Sequence, residues 1–87
     1  MDSNSLPFIG NNSSISTYAE DLFKNNIGKL ISLYMSFPNK DESTKFKGIL
    51  ESVGKDFVLI SDPSNGKWYM LIIPYLNYVE FEEEVNK

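Results

Sequence analysis

The chain contains no histidine, no cysteine, no arginine and no glutamine. The first two absences remove the imidazole base, the thiolate nucleophile and the soft metal ligands. Without arginine there is no guanidinium fork for a phosphate or a carboxylate. Without cysteine there is no disulfide, so the redox compartment is not readable from the sequence. No apolar run approaches the ~20 residues of a membrane span. A chain so short of reactive side chains is expected to bind or build rather than to catalyse, and no cofactor or metal is expected.

What is present fits one small domain of 87 residues. A chain of this size buries roughly 60–65% of its unfolded surface, so it folds alone with little margin. Six Phe, five Tyr and one Trp supply the large rings of a compact core. The net charge is −4, with eight Lys against twelve acids. That balance is a poor match to a phosphate backbone, where affinity comes from neutralising charge. Met1-Asp2-Ser3-Asn4-Ser5-Leu6 carries an acid where a signal peptide needs a base, and Pro7 and Gly10 break its apolar residues. The reading is a protein kept in a cytoplasm, or one that reaches its site by assembly.

Residues 1–16, rich in Ser and Asn, read as a flexible arm whose Leu6, Phe8, Ile9 and Ile15 are its apolar points. Thr17-Tyr18-Ala19-Glu20 has the form of a capping box and opens a helix over about 18–26. Asn25-Asn26 and Gly28 stop it. From Leu30 the pattern turns to strands. Leu30 to Phe37 is ended by Pro38, and 39–43 is a charged connector. Thr44 to Val53 alternates, with Gly48 in mid-strand where a bend excludes a side chain. Gly54-Lys55 turns into Phe57 to Ile60. Asp62 to Lys67, with Asn65-Gly66 inside, is the clearest hairpin turn. Trp68 to Ile73 and Tyr78 to Phe81 follow, then Glu82-Glu83-Glu84 leads into a charged tail at 83–87. Helix and strands fill 17–82. Strand runs apolar on both faces predict a mainly β fold: a small SH3-like or Sm-like five-stranded barrel with a short N-terminal helix. Core packing is the expected role of Phe46, Phe57 and Trp68.

Catalytic readings are weak. Asp56 with Asp62, or Glu20 with Asp21, would need a carboxyl raised by burial, and turns and caps explain these acids better. Ser61 with Lys67 across the turn lacks any nucleophile elbow. Glu80 with Glu82–Glu84 lacks the spacing of a calcium loop and reads as a solvated charge run. Binding is better served. Tyr75, just after Pro74, is the best candidate for an exposed contact, with Tyr78, Glu82, Glu83 and Glu84 beside it in sequence. An edge strand adds main-chain pairing, and self-association through such an edge is an expectation.

Four blocks carry a family resemblance. They are Thr17 to Lys29; Phe46 to Asp56; Ile60-Ser61-Asp62-Pro63 with Gly66-Lys67 and Tyr69; and Leu76 to Phe81. Together, over about 17–82, they resemble the GerQ family of spore coat proteins. The resemblance implies a structural, non-enzymatic adaptor of the bacterial endospore coat, assembled from the mother-cell cytoplasm. It implies partners as well: other coat proteins, and a cortex-lytic cell-wall hydrolase that is placed in the coat for germination. Family members are cross-linked by transglutaminase through lysines of an N-terminal arm. The arm here has no lysine, and a chain without Gln serves only as amine donor, through a residue such as Lys40 or Lys87. An alternative is an Sm-like single-stranded RNA-binding module, since Gly48 and Gly54-Lys55-Asp56 are reminiscent of an Sm-type first motif. The acidic charge and Phe57-Val58, where an Asn-bearing loop belongs, stand against it.

Overall fold

The computed structural model describes residues 16–38 and 44–87. The α-helix among them, α1 (Thr17–Lys24), starts one residue before the expected range of about 18–26 and ends two residues short of it. Ser16, not Thr17, is the cap, and its Oγ accepts the Ala19 N–H at 3.1 Å. Glu20 does not close a box. Its carboxylate is drawn to Lys24 at 3.0 Å and to Lys55 at 3.4 Å. Ala19 and Phe23, four apart, are the apolar residues α1 buries. An eight-residue helix has too few internal bonds to stand alone, so this contact holds it in place.

Five strands follow: β1 (Leu30–Met35), β2 (Thr44–Val53), β3 (Phe57–Asp62), β4 (Lys67–Ile72) and β5 (Leu76–Phe81). A 3-10 turn (Ile73–Tyr75) with Pro74 inside it joins the last two. All pairings are antiparallel, in the order β4-β3-β2-β1-β5. The fold is mainly β, as expected, but the sheet is not closed. Strands β4 and β5 are its two edges, with no ladder between them. The closure that a barrel requires is not found among the described strands, which form one open sheet.

Strict alternation sorts the side chains. The inner face carries Ile31 and Leu33 of β1, Leu50 of β2, Val58 and Ile60 of β3 and Leu71 of β4, all buried. Burying an aliphatic side chain of this kind contributes about 1.5–3 kcal/mol. Two bulges re-phase the pattern. Leu50 faces Ile60 and Ser52 faces Leu59, so Glu51 is the extra residue and Val53 returns to the core. This explains why Val53 breaks the polar side of β2 in the sequence. Between β1 and β5, Asn77 is the extra residue.

Gly48 performs the role the sequence suggests. A Cβ there would lie 2.4 Å from the Ser61 carbonyl oxygen, a backbone atom. The Ser61 backbone of the neighbouring β3 therefore approaches Gly48 at a distance only glycine permits. Gly66 closes the β3–β4 hairpin at φ 73°, in the left-handed region.

The expectation for the rings holds in part. Phe46 packs on the core beside Tyr69 and Phe37, with centroids 5.4 and 6.4 Å away. Phe57 is half-buried on the outer side. Trp68 is not a core residue: it is 59% exposed. It sits at the first outer-face position of β4, an even step from Met70 and Ile72, whereas the core takes the odd positions Tyr69 and Leu71.

Gly48→Ala is expected to destabilise the chain by about 1–3 kcal/mol, because backbone has to move. Lys47→Ala next to it, exposed on the outer face, should stay within about 0.5 kcal/mol. Urea unfolding midpoints of the two variants check this.

Candidate interaction surface

The outer face of the sheet divides into two halves. The first lies over β2, β1 and β5. Across these strands Lys45, Tyr34 and Tyr78 form one row, and Lys47, Ser32 and Glu80 the next. The Tyr34 and Tyr78 rings stack with centroids 4.3 Å apart and planes 13° apart. The Lys45 ammonium lies 5.7 Å from the centre of the Tyr34 ring, in cation–π range. The Tyr34 hydroxyl donates to Glu80 at 2.9 Å. That hydrogen bond, with some desolvation and the Glu80 charge, raises the Tyr34 phenol from 10.0 to about 12. The second half, over β3 and β4, is apolar: Phe57 and Leu59 are half-buried, and Trp68, Met70 and Ile72 are exposed.

The binding residues expected from sequence fall in different places. Tyr78 is 49% exposed and stacked on Tyr34. Tyr75, 37% exposed, is not beside it. Its ring packs on Phe37, with centroids 5.7 Å apart, and its carbonyl accepts the Ser36 N–H at 2.7 Å. Glu82 accepts from the buried Ser32 hydroxyl at 2.7 Å, and Glu83 accepts the Leu30 N–H at 2.9 Å. The Glu84 carbonyl receives the Lys29 ammonium. The acidic run is thus fastened to the start of β1 at successive residues. Lys87 is exposed, and Lys40 lies outside the described residues.

The same segment carries a bond set that composition does not reveal. Asn26, fully buried after α1, donates to the Leu22 carbonyl at 2.7 Å and to the Asn86 carbonyl at 2.9 Å. It also accepts the Asn86 N–H at 2.8 Å. A polar side chain buried this way has to be paired, and here the pairing ties the helix end to the last residues. Asn25-Asn26 reads in sequence only as a helix stop, so nothing local announces the partner 60 residues away.

The candidate catalytic pairs are otherwise engaged. The Ser61 hydroxyl donates to Glu51 at 2.6 Å rather than meeting Lys67, which faces Asp62 across the hairpin. Asp62 accepts from the Ser64 hydroxyl at 2.6 Å and the Ser64 N–H at 2.9 Å. Those bonds lower its pKa, the opposite of a raised general acid. Glu20 is likewise lowered, first by its bond to Lys24 and then by Lys55, against the opposing effect of burial. Its stabilising effect is present above the unfolded pKa and is lost as pH falls through the lowered folded value. Lys55, the cation of the Sm-reminiscent turn, is spent on this contact. Among the described residues no three acids converge on a metal position, and no helix is long and apolar enough to cross a membrane.

An open sheet whose outer face is built of stacked tyrosines, charges and an apolar strip, with one short helix, defines a small mainly β domain. Residues 15–87 match the family described as spore coat protein (Spore_GerQ). The chain is also 41% identical over 71 residues to the spore coat protein GerQ of Bacillus subtilis (strain 168). That alignment takes in 79% of this chain and 39% of that protein, so the chain spans about two fifths of the relative's length. The chain belongs to the GerQ family of spore coat proteins.

In a spectrophotometric pH titration a tyrosine step is expected near pH 12, and Tyr34→Phe removes that step. The phenol is raised in the folded state, so its stabilisation is complete below pH about 10 and fades toward about 12. Glu80→Gln should move the step downward.

Proposed function

We propose that this chain is a structural protein of the bacterial endospore coat. In this reading its outer face holds a cortex-lytic cell-wall hydrolase in place for germination. The observation that carries the reading is the span of the family match, residues 15–87, which takes in α1 and all five strands. The unit shared with the family is then the helix and sheet together rather than an isolated peptide. Membership of a spore coat family supports residence in the coat, reached by assembly from the mother-cell cytoplasm.

The contact surface in this reading is the β5 side of the outer face, from Tyr78 past Glu82 and Glu83 to Glu84, with Tyr75 at its margin. Stacking on Tyr34 holds Tyr78 in one orientation, so little rotamer freedom is lost when a partner packs on it. Glu82 and Glu83 are held by Ser32 and the Leu30 N–H, which makes their charge a fixed feature of the surface. A fixed acidic rim favours a partner with a basic patch and speeds encounter with it. Other coat proteins are the second class of partner. If a transglutaminase joins this chain to them, an exposed lysine such as Lys87 is an available amine.

Spores carrying Tyr78→Ala or Glu84→Lys are expected to retain less hydrolase in the coat while the purified variants melt within a few degrees of the parent. Immunoblots of coat extracts read the retention. Full retention in both variants contradicts this surface, and absence of the chain from coat extracts contradicts the function.

A further inference from the structure

The second half of the outer face has no assigned role. Trp68 and Met70 are each 59% exposed and Ile72 is 43% exposed, and all three sit on one face of β4. Phe57 and Leu59 of β3 continue the apolar area inward. Among the described residues strand β4 is also a free edge, and its six residues carry one charge, Lys67 at the end. Exposed apolar edges are normally blunted by charge or proline. The β5 edge carries Glu80, with Glu82–Glu84 following, whereas β4 has Lys67 and Pro74 only at its two ends and neither charge nor proline from Trp68 to Ile72.

The phase of the ladder says what this edge can accept. The Ile73 N–H donates to the Asp56 carbonyl at 2.9 Å, and the β3–β4 register runs without a bulge. In an antiparallel pair, residues bonded to the partner strand alternate with residues that are not. Tyr69 and Leu71 therefore bond to β3, and the N–H and C=O groups of Trp68, Met70 and Ile72 point to the free edge. The same residues thus carry the exposed apolar side chains and the unpaired main-chain groups. On β5 the Glu82 N–H donates to the Leu30 carbonyl at 3.0 Å, so Tyr78 and Glu80 bond inward to β1. The groups at that free edge belong to Val79 and Phe81, whose side chains are on the core side.

We propose that β4 pairs with β4 of a second copy, antiparallel about a two-fold axis through Met70. Residues facing each other across an antiparallel ladder share a face. In the register that overlaps the whole strand, Met70 meets Met70 and Trp68 meets Ile72. Every bonding pair then lies on the outer face, and the two apolar strips merge into one. Trp68 against Ile72 is an aromatic–β-branched pair, a favourable cross-strand combination. An antiparallel join of β4 to β5 would set the exposed strip of one copy on the core side of the next. A parallel join of those edges obeys the facing rule, but it sets the strip beside Tyr78 and Glu80 and is heterologous, so it builds a ring or a filament rather than a dimer. Joining β5 to β5 brings the acidic residues of both copies together. The β4 pairing is isologous, apolar and free of like-charge contacts. It leaves the β5 side of both copies open, so it is independent of the hydrolase surface proposed above.

Sedimentation of the full chain over a concentration series is expected to show a reversible monomer–dimer equilibrium that stops at the dimer. Met70→Lys and Ile72→Lys should each shift it to monomer while leaving the melting temperature of the dilute chain unchanged. The chain has no native cysteine, so Met70→Cys is a direct probe of the axis. Facing bonded residues have Cα atoms about 5.5 Å apart, within the about 4.4–6.8 Å that a disulfide spans. With oxidised glutathione, Met70→Cys should give a linked dimer and Tyr78→Cys should not. A monomer at every concentration overturns the proposal and leaves the strip to a strand of another protein. Growth beyond the dimer, or a dimer that survives Met70→Lys, overturns it too.

Discussion

A five-stranded sheet has one apolar face to hide, and here α1 is too short to hide it. The helix brings two buried apolar residues, Ala19 and Phe23, to a core that also contains Ile31, Leu33, Leu50, Val58 and Ile60. The sheet must therefore curl over its own inner face, and the close approach of β3 to Gly48 makes that curl possible. The bulge at Glu51 continues it and returns Val53 to the core. Because the curl is achieved by bending rather than closure, two edges remain. Both outer surfaces described above follow from that geometry.

The two edges are treated differently. The β5 edge is flanked by acids, and the segment after it is strapped back by Glu82 on Ser32, Glu83 on the Leu30 N–H and Asn86 on Asn26. These bonds join the helix end, the first strand and the last residues. Tyr78, earlier in β5, is held separately by its stack on Tyr34. The β4 edge has the opposite character, without charge or proline from Trp68 to Ile72. The two proposed contacts therefore lie on opposite edges of the sheet, one charged and one apolar, and neither blocks the other.

Much of this was legible in the chain, for physical reasons. Alternation located β2, Pro38 and Pro74 marked strand ends, and Asn65-Gly66 marked the hairpin. Gly48 in mid-strand announced a close approach, and the four sequence blocks pointed to the family that the comparison bears out. Three features were not legible. Apolar runs on both strand faces suggested closure, but in β4 the second face is an exposed strip, and composition does not distinguish a buried Trp68 from an exposed one. Ser16 outcompeted Thr17 as the cap by reaching the Ala19 N–H, a choice between adjacent hydroxyls that spacing cannot make. The partners of Asn26 and of the acidic run are set by tertiary pairing across most of the chain.

The open sheet and the phase of its β4 edge are the centre of this account, and amide hydrogen exchange on the dilute, monomeric chain tests them together. The expected result is alternating protection along β4: slow exchange at Tyr69 and Leu71, whose amides bond to β3, and fast exchange at Trp68, Met70 and Ile72. Uniform protection along the strand would contradict it, because those three amides would then have a partner within the same chain and the sheet would be closed.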